Sequence, residues 1–303
     1  MASAQGEDRI PTPLEDHRSS PPPWWLPTQA WSLWSDIEAR TRRIATRTNE
    51  YGFDPFGFDP EWTTPLLLPM AWIYRNWLRV EATGVDRIPA GRVLLIGNHA
   101  GNTFAYDAAM MSMALFLEGE PPRIARAMAE YYLPTLPFFN IAMTRAGSVV
   151  GTPQNCVTLL ENDEAVMVFP EGQRGFIKPY HQAYELQPFG LGFMRMALST
   201  GTPIVPVGIV GSEEQSPGLA RLEGVAKRLG APALPLTVTM PWLGLLGFVP
   251  LPVKFRIRFG EAMTFEGDPN DDNVRILEKV EAVKERIRAL VGEGLAARDG
   301  WFR

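Results

Sequence analysis

Cysteine is nearly missing from this 303-residue chain: Cys156 stands alone, so no intramolecular disulfide can form and a cysteine-rich zinc site is excluded. Histidine is almost as scarce. The three present, His17, His99 and His181, leave little material for a histidine-based metal centre, and none is expected. Basic excess is missing too: 29 Lys and Arg against 34 Asp and Glu give a net charge of -5, the wrong sign for a nucleic-acid binder. No Gly-x-Ser-x-Gly elbow occurs and glycine-rich phosphate loops are absent, which removes the usual serine-hydrolase and phosphate-loop readings. Met1 to Leu14 has no apolar centre and does not read as a secretory signal, so the cytosol or the cytosolic face of a membrane is the expected location.

A spanning helix is also missing. The uncharged stretch Trp62 to Tyr74 is short of the roughly 20 apolar residues that cross a bilayer, and it holds Pro65 and Pro69. A longer uncharged run, Gly230 to Val253, is interrupted by Pro232, Pro235, Pro241, Pro250 and Pro252, which would break such a helix repeatedly. It reads as an apolar loop, packed on the core or dipped into lipid.

What the chain does have is apolar material, 46% of it, with nine tryptophans and 28 prolines. Tryptophan and proline gather in residues 21–34 and 62–77, and tryptophan suits a membrane interface because an apolar ring carries an N–H that needs a partner. Residues 1–27 read as a disordered, polar, proline-rich arm. Residues 28–82 read as amphipathic, membrane-proximal helices. Over Thr28–Arg47 the residues Trp31, Trp34, Ile37 and Ile44 fall near helical period, with Arg40, Arg42, Arg43 and Arg47 at the end. Either a solvated surface helix or an interfacial one fits that pattern.

Residues 83–303 read as the catalytic domain. Short apolar or alternating runs at residues 92–97, 165–169, 203–210 and 254–259 predict strands. Helical patterns at 107–118, 153–162, 188–200 and about 270–291 separate or follow them, the last with Ile276, Val280, Val283, Ile287 and Leu290 on one face. The alternation predicts an α/β fold with a largely parallel central sheet covered by helices. Pro203 and Pro206 place their strand at an edge or kink it.

Two segments carry candidate chemistry, each directly after a strand, where open α/β sheets hold ligands. The first is Gly97-Asn98-His99-Ala100-Gly101-Asn102, with Asp107 following at a helix start. An imidazole whose Nδ1–H is held by a carboxylate keeps Nε2 free to take a proton from a hydroxyl. The second is Phe169-Pro170-Glu171-Gly172-Gln173-Arg174, which presents a carboxylate and a guanidinium on a tight turn. A guanidinium fork suits phosphate or carboxylate. Other groups read as ordinary: Cys156 as packing, His17 and His181 as surface residues, Lys178 as a solvated lysine.

Together with Arg145-Ala146-Gly147 and Pro203-Ile204-Val205-Pro206-Val207, these segments stand in the order of the conserved blocks of the phospholipid/glycerol acyltransferase superfamily, which the chain resembles over about residues 85–261. The resemblance implies an O-acyltransferase moving a fatty acyl group from acyl-CoA or acyl-carrier protein to a glycerolipid or lysophospholipid hydroxyl, without a cofactor. By the same resemblance His99 is the general base, Asp107 orients it, and Glu171, Gly172, Arg174 and Arg145 hold the acceptor. Two departures stand out. The family's common pattern puts the aspartate five residues after the histidine, where this chain has Phe104, and Gln173 replaces a hydroxyl residue. The long spacing leaves an alternative in view: a non-catalytic lipid-binding or membrane-scaffolding protein with the same fold.

Overall fold

A computed structural model describes residues 30–46, 48–131, 139–222 and 234–302. The 1–27 arm with His17, both ends of the expected 28–47 helix, and residues 230–233 of the long uncharged run lie outside the described residues.

The centre is a seven-stranded sheet in the order β1-β9-β6-β2-β5-β3-β4. Its strands are β1 (Glu81–Thr83), β2 (Val93–Gly97), β3 (Arg126–Ala129), β4 (Val149–Val150), β5 (Ala165–Val168), β6 (Ile204–Val210) and β9 (Arg256–Phe259). β6, β2, β5, β3 and β4 run parallel to one another, while β9 pairs antiparallel with β6 and carries β1 alongside in parallel. A separate hairpin, β7 (Gly218–Leu222) with β8 (Leu234–Thr237), follows β6.

Side-chain parity divides the core. Val93, Leu95, Ala165, Met167, Val205, Val207 and Ile209 face a cluster shared with helices α1 (Trp31–Thr41), α2 (Pro60–Trp72) and α3 (Tyr106–Glu118). Leu94, Ile96, Val166 and Ile204 face the opposite cluster, closed by α5 (Pro153–Glu161), α7 (Gly192–Thr200) and α8 (Asn273–Ala296). Two short helices, α4 (Phe139–Arg145) and α6 (Gln173–Phe176), complete the set. All five residues of β2 are buried, as expected of a central parallel strand covered on both faces. Each such Val, Leu or Ile side chain contributes about 1.5–3 kcal/mol. On α8, Ile276, Val280, Val283, Ile287 and Leu290 are buried at alternating steps of four and three, the stripe the sequence implies.

Three expectations need revision. Of the two readings of the proline-bearing strand, edge or kinked, the edge fails: β6 lies between β9 and β2 and holds Pro206, with Pro203 just before its start. The backbone N and C=O of a strand residue point the same way, and the Pro206 carbonyl accepts Gly260 N–H at 2.8 Å, just past the end of β9. The missing N–H therefore faces a place where the ladder has already stopped. The boundary between residues 82 and 83 falls inside β1, and α1 and α2 pack in the same cluster as the sheet, so they belong to its core. Finally α1 stops sooner than expected, at Thr41, with Trp34 and Ile37 turned inward, while Arg40 and Arg43 pair with Glu120 and Arg42 with Glu38. Among the described residues no helix is long and apolar enough to cross a membrane.

Candidate active site

β2 delivers His99 to the middle of the carboxyl edge of the sheet. The alternation Val93, Leu95, Gly97 carries on to His99 and sends it toward the α3 side. Asn98 secures the strand end: its Nδ2 donates to the Ile209 carbonyl at 3.0 Å and its Oδ1 accepts Ile209 N–H at 2.8 Å. A side-chain amide thus continues the β2–β6 pairing where the backbone has begun to turn.

Asp107 sits fully buried in the first turn of α3, where the positive end of the helix favours a carboxylate. Its Oδ2 lies 2.7 Å from His99 Nδ1 and also accepts Ala100 N–H at 2.8 Å. A carboxylate can only accept, so Nδ1 carries the proton and Nε2 presents its lone pair. Phe169 stacks on the imidazole at 4.3 Å between ring centres, and Phe176 lies at 4.9 Å, tilted 33°. The ring is clamped by aromatics and oriented by Asp107, with 14% of the side chain left exposed.

The long His-to-Asp connection is absorbed by a built loop. Tight turns close it, from Thr103 N–H to the Gly101 carbonyl and from Tyr106 N–H to the Phe104 carbonyl. Asn102 takes up a left-handed conformation at φ 56°, which asparagine tolerates better than most residues. From there its N–H reaches the Phe176 carbonyl at 3.0 Å and its Nδ2 the Ser216 carbonyl at 2.8 Å. Gln215 Nε2 donates to the Gly101 carbonyl at 2.7 Å. Phe104, at the position of the family's usual aspartate, packs against Tyr106 at the edge of the core.

Glu171, expected to hold the acceptor, has both carboxylate oxygens engaged by backbone donors. It is 3% exposed, its Oε1 accepts His99 N–H at 2.8 Å, and its Oε2 accepts Gln187 N–H at 2.7 Å. Burial raises its carboxyl above the ordinary range, while these two hydrogen bonds and the charges of Lys178 and His99 pull the other way. These two contacts tie the backbone of His99, under the imidazole, to that of Gln187. Gly172 has φ 56° and ψ -145°, close to a region that only glycine enters freely. Gly175 makes room for the carboxylate, since a Cβ there would lie 2.7 Å from Glu171 Cβ.

Arg174 is exposed on α6, on the same short helix as Phe176. Arg145, at the end of α4, is engaged elsewhere: it pairs with Asp59 at 2.9 Å and lies over the rings of Phe53 and Trp62. Its carbonyl accepts from Thr63 Oγ1 at 2.6 Å, so it fastens α4 to the start of α2. No described hydrogen bond or ion pair joins it to His99, Asp107, Glu171 or Arg174. Lys178 overturns the expectation of a solvated lysine. It is 2% exposed, and its Nζ lies 2.7 Å from Glu213 Oε1. Cys156 is buried, its thiol pushed up to about 12, and His181 is exposed, both as expected.

Sequence reasoning passed over residues 211–216, Gly-Ser-Glu-Glu-Gln-Ser, which are buried throughout despite their polarity. Glu213 holds Lys178, Glu214 takes hydrogen bonds from Tyr184 Oη and Arg298, and Gln215 and Ser216 hold the His99 loop. A signal existed: a polar hexapeptide directly after the β6 strand occupies the same sheet edge as His99.

Comparison with known proteins shows where the chain belongs. The family model described as Acyltransferase matches residues 79–210, which contain His99, Asp107, Arg145, Glu171 and Arg174. An uncharacterised protein of Mycobacterium leprae is 34% identical over 320 residues, covering 99% of this chain and 85% of its own. A mouse protein named DGAT1/2-independent enzyme synthesizing storage lipids is 24% identical over 220 residues, 71% of this chain and 60% of its own. Among solved structures, the LPA acyltransferase PlsC of Thermotoga maritima is similar with a TM-score of 0.48 at 20% identity, covering 76% of each chain. The chain belongs to the acyltransferase family. It is an enzyme of acyl transfer, which leaves aside the alternative of a non-catalytic lipid-holding protein.

Proposed function

We propose that this enzyme transfers a fatty acyl group from acyl-CoA, or from acyl-carrier protein, to a free hydroxyl of a glycerolipid or lysophospholipid, with His99 as general base. The observation that carries this reading is the 2.7 Å contact between His99 Nδ1 and Asp107 Oδ2 in a clamped, partly accessible ring. Nε2 takes the acceptor's O–H proton as that oxygen attacks the thioester carbonyl. The tetrahedral intermediate collapses, the C–S bond breaks, and the imidazolium returns its proton to the leaving thiolate. Asp107 stabilises the imidazolium while it exists. Histidine, aspartate and two substrates suffice for this cycle, so no cofactor is called for.

The acceptor reaches the site from a membrane surface. Two apolar elements support this. On α2, Trp62, Leu66 and Trp72 are exposed, and residues 242–249 hold Trp242, Leu243, Leu245, Leu246, Phe248 and Val249 exposed with no charge among them. Lone exposed apolar side chains are normal, but a contiguous group marks an interaction surface. That loop adjoins the chemistry: Tyr106, beside Asp107, donates through its hydroxyl to the Phe248 carbonyl at 3.2 Å. A peripheral position on the cytosolic face fits these elements. The name of the mouse relative brings neutral glycerides into the range of acceptors.

The test is release of free CoA thiol from acyl-CoA in the presence of lysophosphatidate, monoacylglycerol or diacylglycerol, with products identified by mass spectrometry. His99→Ala is expected to abolish turnover while retaining the fold by circular dichroism. Full activity in that variant removes His99 from the chemistry.

A further inference from the structure

We infer that Arg221, on β7, forms with Arg174 a two-guanidinium seat for a substrate phosphate at the mouth of the site; this rests on the acyl-transfer reading. Arg221 Nη2 donates to the Arg174 backbone carbonyl at 2.9 Å, which sets the Arg221 guanidinium against the backbone from which the Arg174 side chain springs. The position is fixed by the chemistry itself. Gly218, the first residue of β7, bridges to Pro179, just after α6, and the neighbouring Ser216 carbonyl is held by Asn102 of the His99 loop. Arg221 lies three residues farther along, about 10 Å of extended strand. Arg174 shares its helix with Phe176, whose ring lies against His99.

The charge balance indicates what belongs there. The other cations near these elements are already neutralised: Lys178 by Glu213 and Arg298 by Glu214. Among the described residues neither Arg174 nor Arg221 has a carboxylate within ion-pair distance. Arg221 Nε is moreover buried without an acceptor. A guanidinium carries five N–H donors, and capping one carbonyl uses a single one. If Arg221 served only to cap α6, its buried Nε would be an uncompensated cost. A phosphate oxygen supplies the acceptor that Nε lacks and the charge that both residues lack. Two sources offer that chemistry: the head-group phosphate of a lysophospholipid, and the phosphates of the CoA or phosphopantetheine arm.

The experiment compares wild type, Arg221→Gln and Arg221→Lys in four arms: lysophosphatidate against monoacylglycerol as acceptor, and acyl-CoA against acyl-N-acetylcysteamine as donor. Arg221→Gln is expected to raise KM about tenfold or more for the phosphate-bearing member of one pair, with its phosphate-free counterpart unchanged and kcat within about twofold. The affected pair identifies the source. Arg221→Lys keeps the charge but not the fork and is expected to restore KM only in part. Unchanged KM in every arm, or equal rises with and without phosphate, overturns the inference. Should the wild type transfer no acyl group, the functional reading fails, and the seat is judged separately by calorimetry with glycerol 3-phosphate and adenosine 3′,5′-bisphosphate. Binding of either one that Arg221→Gln loses upholds it, and binding unaffected by the substitution, or none at all, overturns it.

Discussion

Asp107→Asn isolates the electrostatic part of the site. The substitution keeps the shape of the side chain and removes its charge. In serine-protease triads the equivalent change costs about 10⁴ in turnover because the amide turns the histidine to the wrong tautomer. Here that flip is opposed. Asp107 Oδ2 accepts two donors, His99 Nδ1–H at 2.7 Å and Ala100 N–H at 2.8 Å, and an amide NH2 in that position would oppose both. Turned the other way, the NH2 opposes only Ala108 N–H, which Oδ1 accepts at 2.8 Å, so the asparagine oxygen takes the Oδ2 place and the tautomer survives. What is lost is the attraction between carboxylate and imidazolium, about 4 kcal/mol for charge centres ~4 Å apart at an effective dielectric near 20. Part of that attraction remains as a neutral hydrogen bond, so kcat is expected to fall on the order of 10²–10³-fold with acceptor KM little changed. Initial rates of thiol release across acceptor concentrations give both constants. A kcat within about tenfold of wild type would show that Asp107 does not stabilise the imidazolium.

Other outcomes follow from the same contacts. Glu171→Gln leaves one of the two N–H groups of His99 and Gln187 without an acceptor, costing about 1–3 kcal/mol of stability by urea titration; kcat should drop while acceptor KM holds, whereas a head-group role would raise KM. Asn98→Ala strips both backbone groups of Ile209 of their partners, and a loss of about 2–4 kcal/mol is expected, read as a lower urea midpoint. Burial raises Glu213 to about 7 against the pull of Lys178 and raises Glu164 and Glu171 as well. The folded state thus holds protons that the unfolded chain has released, so the thermal midpoint should fall as pH rises from the ordinary carboxylate range to about 7, and Glu213→Gln should flatten that slope. Replacing both Leu245 and Leu246 by Glu removes two exposed apolar side chains worth about 1.5–3 kcal/mol each if buried, and co-sedimentation with phospholipid vesicles should fall by tenfold or more. Undiminished sedimentation would remove that loop from the membrane face.

Much of this site was legible before any coordinates. A fully apolar strand ending in Asn-His and a second ending in Phe-Pro-Glu-Gly mark the carboxyl edge of a parallel sheet, because a strand apolar throughout is covered on both faces and the polar residues that follow it fall at its carboxyl end. Side-chain roles within the site were less readable. Glu171 reads in the sequence as a carboxylate that holds the acceptor and Lys178 as a solvated lysine, and only the fold shows that Gly175 opens space for one to be buried and Glu213 neutralises the other. Arg145 carries the family's block yet spends its charge on Asp59, a partner 86 positions away that no local pattern reveals. Pro206 misled for the opposite reason: proline is excluded from central ladders in general, but β9 stops short of the place where it sits.

The loop between His99 and Asp107 can vary in length because its two ends answer to different masters. The carboxylate is rooted in α3, whose Met110, Met111, Ala114 and Phe116 are locked in the interior, so shifting it means repacking half the molecule. The imidazole hangs from the strand tip, where Glu171 accepts the backbone N–H of His99. Everything between is free to lengthen provided it finds new anchors, as Asn102 has at Ser216. Relatives of this enzyme should therefore tolerate insertions within that loop far more readily than a single-residue slip in the helix that follows it.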